Sequence, residues 1–151
     1  MDVYAKLKEL NVTLPELPAP AGIFKPVRQV GNCLYVSGQV ATRDGAPLFP
    51  GKLGAAVSVE QGQEAAKACA INALANLHVF LGDLNKIKSL IKTLAFIQSA
   101  DGFSQQPAVA NGASSLFKEI WGDDGVGARS AIGVSELPLN VSVEIEFIFE
   151  I

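Results

Sequence analysis

The C-terminal segment from Val141 to Ile151 alternates between apolar and mostly polar positions. Because successive side chains of a strand point to opposite faces, this period of two predicts a β-strand with one buried face. The face expected to be buried consists of Val141, Val143, Ile145, Phe147, Phe149 and Ile151. The opposite face, which is rich in carboxylates, consists of Ser142, Glu144, Glu146, Ile148 and Glu150.

A helical period occupies the middle of the chain. Between Val59 and Leu81 the apolar residues recur at intervals of three and four, which predicts a long helix packed on a sheet. Ser58 is suited to cap its start with Gln61 as the capping-box partner, and Gly82 follows its end. A second helix is predicted from Pro107 to Trp121.

The remaining segments complete the predicted architecture. Strands are expected at Leu34–Val40, at Ile87–Gln98 and from Arg129 onward, and a turn is expected at Arg43-Asp44-Gly45. Helices on one face of a mixed sheet indicate an α+β two-layer sandwich with two helices packed on one face. This domain is assigned to residues 22–151. Residues 1–21, with a short helix at Asp2–Leu10 and a Pro-rich arm, are predicted to be an appendage.

One side of the strand that begins at Arg129 carries a guanidinium and two very small side chains. Arg129 alternates with Ala131 and Gly133, so these three residues share a face. A guanidinium beside such small side chains has room to bind an anion through several hydrogen bonds. The segment is therefore a candidate binding site.

The relation of Arg129 to the last strand decides what chemistry is available. Folding the chain about residues 135–140 would put Arg129 on the same face as Glu144 and Glu146, on a common concave surface. Hydrolysis of an imine needs mainly orientation, a positioned water and a proton path, so one arginine and one glutamate would suffice. The alternative is a structural salt bridge between Arg129 and one of the glutamates.

The composition narrows the function classes. Hydrophobic residues make up 49% of the chain and charged residues 18%, so part of the apolar surface is expected to face another subunit. A net charge of −3 without a dense basic cluster disfavours nucleic acid as a ligand. No apolar stretch reaches the roughly 20 residues of a membrane span, and the start lacks a secretory signal, so a cytoplasmic protein is expected. Cys33 and Cys69 are expected to be free, buried thiols.

Four short segments combine into a specific pattern. They are Tyr35–Gln39, Ala128–Val134, Leu137-Pro138 and Val143–Glu146. Together they resemble the YjgF/RidA family of reactive-intermediate deaminases, and the resemblance extends from Gly22 to the C-terminus. It implies a chorismate-mutase-like fold and homotrimers in which the sheets form a central barrel, with a cleft at each subunit interface.

The resemblance also implies a reaction. It is the hydrolysis of small 2-imino acids, or their enamine tautomers, to 2-oxo acids and ammonia, without a cofactor or a metal. The family arginine that binds the substrate carboxylate corresponds to Arg129, and the glutamate that positions or activates water corresponds to Glu144. Backbone groups near Ser37, Gly38 and Ala131 are candidates to hold that water.

Two positions depart from the family pattern and indicate a divergent branch. The aromatic position of the lead-in segment, usually a tyrosine, is Phe24, which keeps an apolar wall but has no hydroxyl. A cysteine two residues after the arginine is replaced by Ala131, which enlarges the pocket. Both positions are expected to contact the substrate.

The remaining polar residues are weaker candidates for a functional site. His78 is the only histidine, so a two-histidine ribonuclease mechanism and a multi-histidine zinc site are excluded. Asn111, on the second helix, is expected to be a packing or capping residue. Two function classes stay open: an imine deaminase, or a non-catalytic module that binds a small carboxylate metabolite or a partner protein through the same cleft.

Overall fold

Seven strands and three helices make up the fold, and the computed structural model describes residues 1–151. In chain order they are α1 (Val3–Glu9), β1 (Val27–Val30), β2 (Cys33–Val40), β3 (Thr42–Arg43), β4 (Ala46–Pro47), α2 (Val59–Leu81), β5 (Ser89–Gln98), α3 (Gln106–Trp121), β6 (Ala128–Val134) and β7 (Val143–Glu150). Short 3-10 helices lie at Leu84–Lys86, Gly122–Gly125 and Pro138–Asn140.

Five of the strands form one mixed sheet in the order β1-β2-β7-β5-β6. Neighbouring strands are antiparallel except for β5 and β6, which run parallel. The short strands β3 and β4 pair with each other on either side of the predicted turn at Arg43-Asp44-Gly45. Strand β6 is thus an edge strand, and β5 separates it from β7.

The two long helices cover one face of the sheet. The predicted capping box at the start of α2 is confirmed: the Gln61 N–H donates to the Ser58 hydroxyl at 3.1 Å, and the Ser58 N–H donates to Gln61 Oε1 at 3.0 Å. The helix ends at Gly82 in the left-handed conformation, with φ of 73°. Helix α3 approaches α2 closely at Gly112, where an added Cβ would collide with the Gln63 carbonyl.

The core lies between this helix layer and the sheet. The alternation predicted for β7 is confirmed, since Val143, Ile145, Phe147 and Phe149 are buried and the intervening residues are more exposed. The α+β two-layer fold is therefore confirmed, with one addition: α1 joins the helix layer as a third helix. Strand β1, at an edge of the sheet, was not predicted.

Helix α1 is fixed to the rest of the protein by both apolar and polar contacts. Val3 and Leu7 belong to the hydrophobic core cluster. The hydroxyl of Tyr4 lies 2.8 Å from His78 Nδ1 and accepts the Leu84 N–H at 2.9 Å. The start of the chain is therefore packed into the core, while the division at Gly22 stays a prediction.

Replacing Thr93 with Val is expected to stabilise the protein. Thr93 lies in the middle of β5, is 2% exposed, and its hydroxyl has no hydrogen-bond partner. Because a buried hydroxyl without a partner has lost its water and gained nothing, Thr93→Val should raise the free energy of unfolding by about 1 kcal/mol. Urea denaturation measures the change, and a fall in the free energy of unfolding would show that the hydroxyl has a partner in solution.

Candidate functional site

Arg129 lies on edge strand β6, and its side chain reaches over the first turns of α3. Its Nη1 donates to Asn111 Oδ1 at 2.8 Å and to the Ser114 hydroxyl at 3.2 Å, and its Nη2 donates to the Pro107 carbonyl at 3.4 Å. No carboxylate lies within ion-pair distance, since the ion pairs of the chain are Lys6–Glu9 and Lys52–Glu136. The salt-bridge alternative for Arg129 is therefore wrong.

The guanidinium keeps donors for a ligand. It has five N–H groups, and three of them are used by Asn111, Ser114 and Pro107. The groups that remain are Nε–H and one Nη2–H, and Nε and Nη2 lie on one edge of the guanidinium. This pair matches the two oxygens of a carboxylate. Helix α3 thus holds the guanidinium through uncharged groups. The positive charge and the edge formed by Nε and Nη2 stay available to a ligand.

The peptide groups of β6 add further donors and acceptors beside Arg129. The Val134 carbonyl accepts the Ser99 N–H at 3.0 Å, so Val134 and alternate residues before it direct their peptide groups toward β5. The N–H and C=O groups of Arg129, Ala131 and Gly133 therefore point toward the open edge of the sheet. We call Arg129 and Ala131 the arginine cluster. Asn111 lies outside this cluster and fixes the guanidinium of Arg129.

A second group of predicted residues gathers around an irregularity in β2. The register between β2 and β7 shifts between Val36 and Gln39, so Ser37 and Gly38 form a bulge. The Ser37 hydroxyl donates to the Lys25 carbonyl at 2.6 Å, which fixes the lead-in segment next to this bulge. Phe24, one residue earlier, is 55% exposed.

Glu144 lies against this bulge. An added Cβ at Gly38 would lie 3.1 Å from Glu144 Cδ, so the glycine makes room for the carboxyl group. Glu144 makes no ion pair, and its pKa is raised above the usual range by burial and by the charge of Glu146. A carboxylate with a raised pKa is a stronger base than an ordinary glutamate, so it is better suited to accept a proton. We call Ser37, Gly38 and Glu144 the glutamate cluster.

The prediction that Arg129 shares a face with Glu144 and Glu146 is wrong. Arg129 is in register with Thr93 on β5, and Thr93 with Phe147 on β7, so Arg129 is on the face covered by the helices. Ala131 and Gly133 follow it on that side, in register with Ala95 and Ile97. Glu144 is in register with Phe96, and Phe96 with Ile132, on the opposite, uncovered face. The two segments do not pair with each other, because β5 runs between them.

The uncovered face of the sheet has exposed apolar side chains among its charged ones. Tyr35 is 47% exposed and Ile132 is 44% exposed, and both lie on it. A depression of about 410 Å³ lies in this face, lined in part by Arg28, Tyr35, Lys92 and Glu146. A single chain leaves the whole face without a covering layer.

Asn111 is the residue whose role the sequence did not reveal. It was expected to serve packing or capping, but its side-chain oxygen accepts the shortest hydrogen bond of the Arg129 guanidinium. No sequence signal linked it to Arg129, since the packing of α3 over β6 brings the two residues together. An amide there fixes the guanidinium without neutralising it.

Comparison with known proteins identifies the family. The family model described as "YjgF/chorismate mutase-like, putative endoribonuclease" matches residues 5–151. The chain belongs to the YjgF/RidA family. The resemblance inferred from the four sequence segments is thereby confirmed.

Individual relatives of this YjgF/RidA protein match it over nearly their whole length. Protein TCP17 of Trypanosoma cruzi is 38% identical over 150 residues, covering 99% of this chain and 94% of the relative. A 2-iminobutanoate/2-iminopropanoate deaminase of Dermatophagoides farinae is 28% identical over 138 residues, covering 91% and 92%. A crystal structure of an Agrobacterium tumefaciens protein of unknown function is 42% identical, with a TM-score of 0.91, covering 99% and 91%.

Other reactive groups of this YjgF/RidA protein lie outside the two clusters. His78 contacts Tyr4 of helix α1. Both cysteines are free; Cys69 is buried, and burial raises the pKa of its thiol, while Cys33 is only partly buried. No three His, Cys, Asp or Glu residues are grouped so that they could hold a metal ion. None of the three helices has the length and apolar character needed to cross a bilayer.

Proposed function

We propose that this protein hydrolyses small 2-imino acids and their enamine tautomers to 2-oxo acids and ammonia, at a site formed between two copies of the chain in a homotrimer. The observation that carries the proposal is the Arg129 guanidinium of the arginine cluster, which has unused donors on Nε and Nη2 and no acidic partner. The similarity to a 2-iminobutanoate/2-iminopropanoate deaminase supports the reaction type.

The separation of the two clusters supports a site between copies. One protomer holds the arginine cluster at the edge of β6 on the helix-covered face and the glutamate cluster on the other face. Because a small imino acid cannot contact both sides of one sheet, the arginine of one copy and the glutamate of another must act together. A neighbouring copy would also cover the exposed apolar side chains of Tyr35 and Ile132 on this face.

In the proposed reaction Arg129 fixes the substrate and Glu144 handles protons. The Nε and Nη2 donors of Arg129 bind the substrate carboxylate. The backbone N–H of Ala131, which points toward the open edge of the sheet, donates to the same carboxylate. Glu144 accepts a proton as water adds to the C=N carbon and passes it to the nitrogen, which gives the carbinolamine. Glu144 then transfers the carbinolamine hydroxyl proton to the amino group, which leaves as ammonia as the 2-oxo acid forms. The guanidinium stays charged throughout, so it orients the substrate without exchanging protons.

The direct test follows the lifetime of the imine. An amino-acid oxidase or dehydratase generates 2-aminoacrylate or 2-iminobutanoate, and semicarbazide traps the imine as a semicarbazone. We expect the wild-type protein to suppress semicarbazone formation. A protein that binds 2-oxo acids but leaves the imine lifetime unchanged would be a binding module instead, and light scattering measures whether the assembly is a trimer.

A mixing experiment tests whether two copies build the site. Arg129→Ala and Glu144→Gln proteins are each expected to be inactive. When equal amounts are assembled together, an interface is intact only if it combines the arginine of one variant with the glutamate of the other, so about one quarter of the wild-type activity should return. If co-assembled variants stay inactive, both groups act within one copy or are not needed together. Co-assembly is verified by a tag on one variant.

A further inference from the structure

Gly133 leaves a pair of polar side chains reachable from the edge of β6. It is on the same face of the strand as Arg129 and Ala131. An added Cβ at this position would lie 2.9 Å from Gln106 Nε2 and 3.1 Å from the Ser99 hydroxyl. The backbone of Gly133 does not have a positive φ, so the glycine is not required by backbone conformation. Its effect is to leave Gln106 and Ser99 uncovered.

The amide of Gln106 is held in a fixed orientation. Its Nε2 donates to the Phe103 carbonyl at 2.8 Å and to the Ser99 hydroxyl at 3.3 Å. Because a carbonyl can only accept, the nitrogen of the amide must face Phe103. The Ser99 hydroxyl in turn donates to the Ile97 carbonyl at 2.8 Å. The other end of the amide, Gln106 Oε1, accepts no hydrogen bond within the protein and is available to a ligand.

This free oxygen lies beside the arginine cluster. Gln106 precedes Pro107, whose carbonyl accepts a hydrogen bond from Arg129 Nη2 at 3.4 Å. Along the strand, Gly133 is two residues beyond Ala131, a distance of roughly 6.6 Å. A substrate with its carboxylate on Arg129 can therefore place a side chain of three or four atoms next to Gly133.

We propose that Gln106 and Gly133 form a side-chain subsite that selects 2-imino acids ending in a carboxamide. The substrate amide N–H donates to Gln106 Oε1, and the substrate amide carbonyl accepts the N–H of Gly133, which points toward the open edge. An apolar side chain of equal length would leave both groups without partners. This assignment rests on the deaminase function proposed above and specifies its substrate class.

The test compares two substrates of nearly equal shape. An L-amino-acid oxidase converts L-glutamine and L-methionine into their 2-imino acids, and semicarbazone suppression gives kcat/KM for each. Wild-type protein should favour the glutamine-derived imine by at least about tenfold, because two hydrogen bonds are made only with the amide. Gln106→Met, which keeps the length but loses the acceptor, should lower the preference to that of the Gly133 hydrogen bond alone while hydrolysis of the methionine-derived imine continues. Gly133→Ala should lower the same preference by covering the amide.

Each result separates the subsite from the general function. Equal hydrolysis of both imines by wild-type protein would overturn the subsite and leave the deaminase intact. An undiminished preference in Gln106→Met would overturn the role of Gln106. If neither imine is hydrolysed, both the subsite and the deaminase are lost. Hydrolysis of the methionine-derived imine by each variant shows that it is folded and assembled.

Discussion

Replacing Arg129 with Ala should lower kcat/KM for 2-imino acids by about 10²- to 10³-fold, because a bidentate, charge-assisted pair with the substrate carboxylate is lost. The guanidinium is positioned by Asn111, Ser114 and Pro107, none of which is charged. Its charge is therefore available to the ligand instead of being neutralised within the protein. Semicarbazone suppression with purified Arg129→Ala protein measures the effect.

Two further variants show whether the bidentate donor geometry of the guanidinium is needed, and not only its positive charge. Arg129→Lys keeps the positive charge but not the parallel donors, so most of the loss should persist. Arg43→Ala removes an exposed arginine beside the turn between β3 and β4 and should leave kcat/KM unchanged. Full activity in Arg129→Lys would show that a point charge is enough and that the bidentate geometry is wrong.

The stability of Arg129→Ala separates a ligand role from a structural role. Because Arg129 has no acidic partner and its hydrogen bonds are partly exposed, the free energy of unfolding should change by about 1 kcal/mol or less. A large loss of stability together with a modest loss of activity would identify Arg129 as a structural residue.

The sequence was a good guide wherever a local rule controls the structure. The long helix was predicted from Val59 to Leu81, and these are its bounds in the structure. Its start depends on side-chain hydrogen bonds between Ser58 and Gln61, and its end on a glycine, so every signal lies within the segment itself. The alternation of β7 was similarly reliable, because burial of one sheet face imposes the period of two.

The relation between β6 and β7 could not be derived from local signals. Both strands show the predicted alternation. Which residues of β6 and β7 lie on the same face of the sheet, however, depends on the strand with which each of them pairs. The prediction placed them side by side, whereas β5 pairs with both, parallel to β6 and antiparallel to β7. The short strand β1 was missed for a related reason: its four residues lie at a sheet edge, and only one of them, Val27, is buried.

The role of Asn111 also depends on tertiary structure. On the sequence it is one polar residue among several on α3, and its spacing from Arg129 carries no information. Only the packing of α3 over β6 brings the amide to the guanidinium. The assignment of Arg129 and Glu144 to opposite faces of the sheet follows instead from strand register, and it supports a site between chains.

Replacing Glu144 with Gln should stabilise the protein and greatly impair its activity. Burial and the charge of Glu146 raise the pKa of Glu144 in the folded state, so the folded protein keeps this proton at pH values where the unfolded chain has released it. The contribution of Glu144 to the free energy of unfolding therefore falls as pH rises from the usual glutamate range through the raised pKa. Above the raised pKa Glu144→Gln removes that unfavourable charge, and urea denaturation there should show a gain in stability.

Activity should move in the opposite direction, because a glutamine cannot accept the proton of the attacking water. A loss of about 10²- to 10⁴-fold in kcat is expected from removing a general base. In wild-type protein kcat should rise with pH through the raised pKa of Glu144, since the ionised form is the base. Glu146→Gln is the matched control: it removes the neighbouring charge, so the pH at which activity appears should shift downward while the maximal rate persists. If Glu144→Gln retains the wild-type rate and pH profile, Glu144 only holds water in place, and the proton must leave by another route.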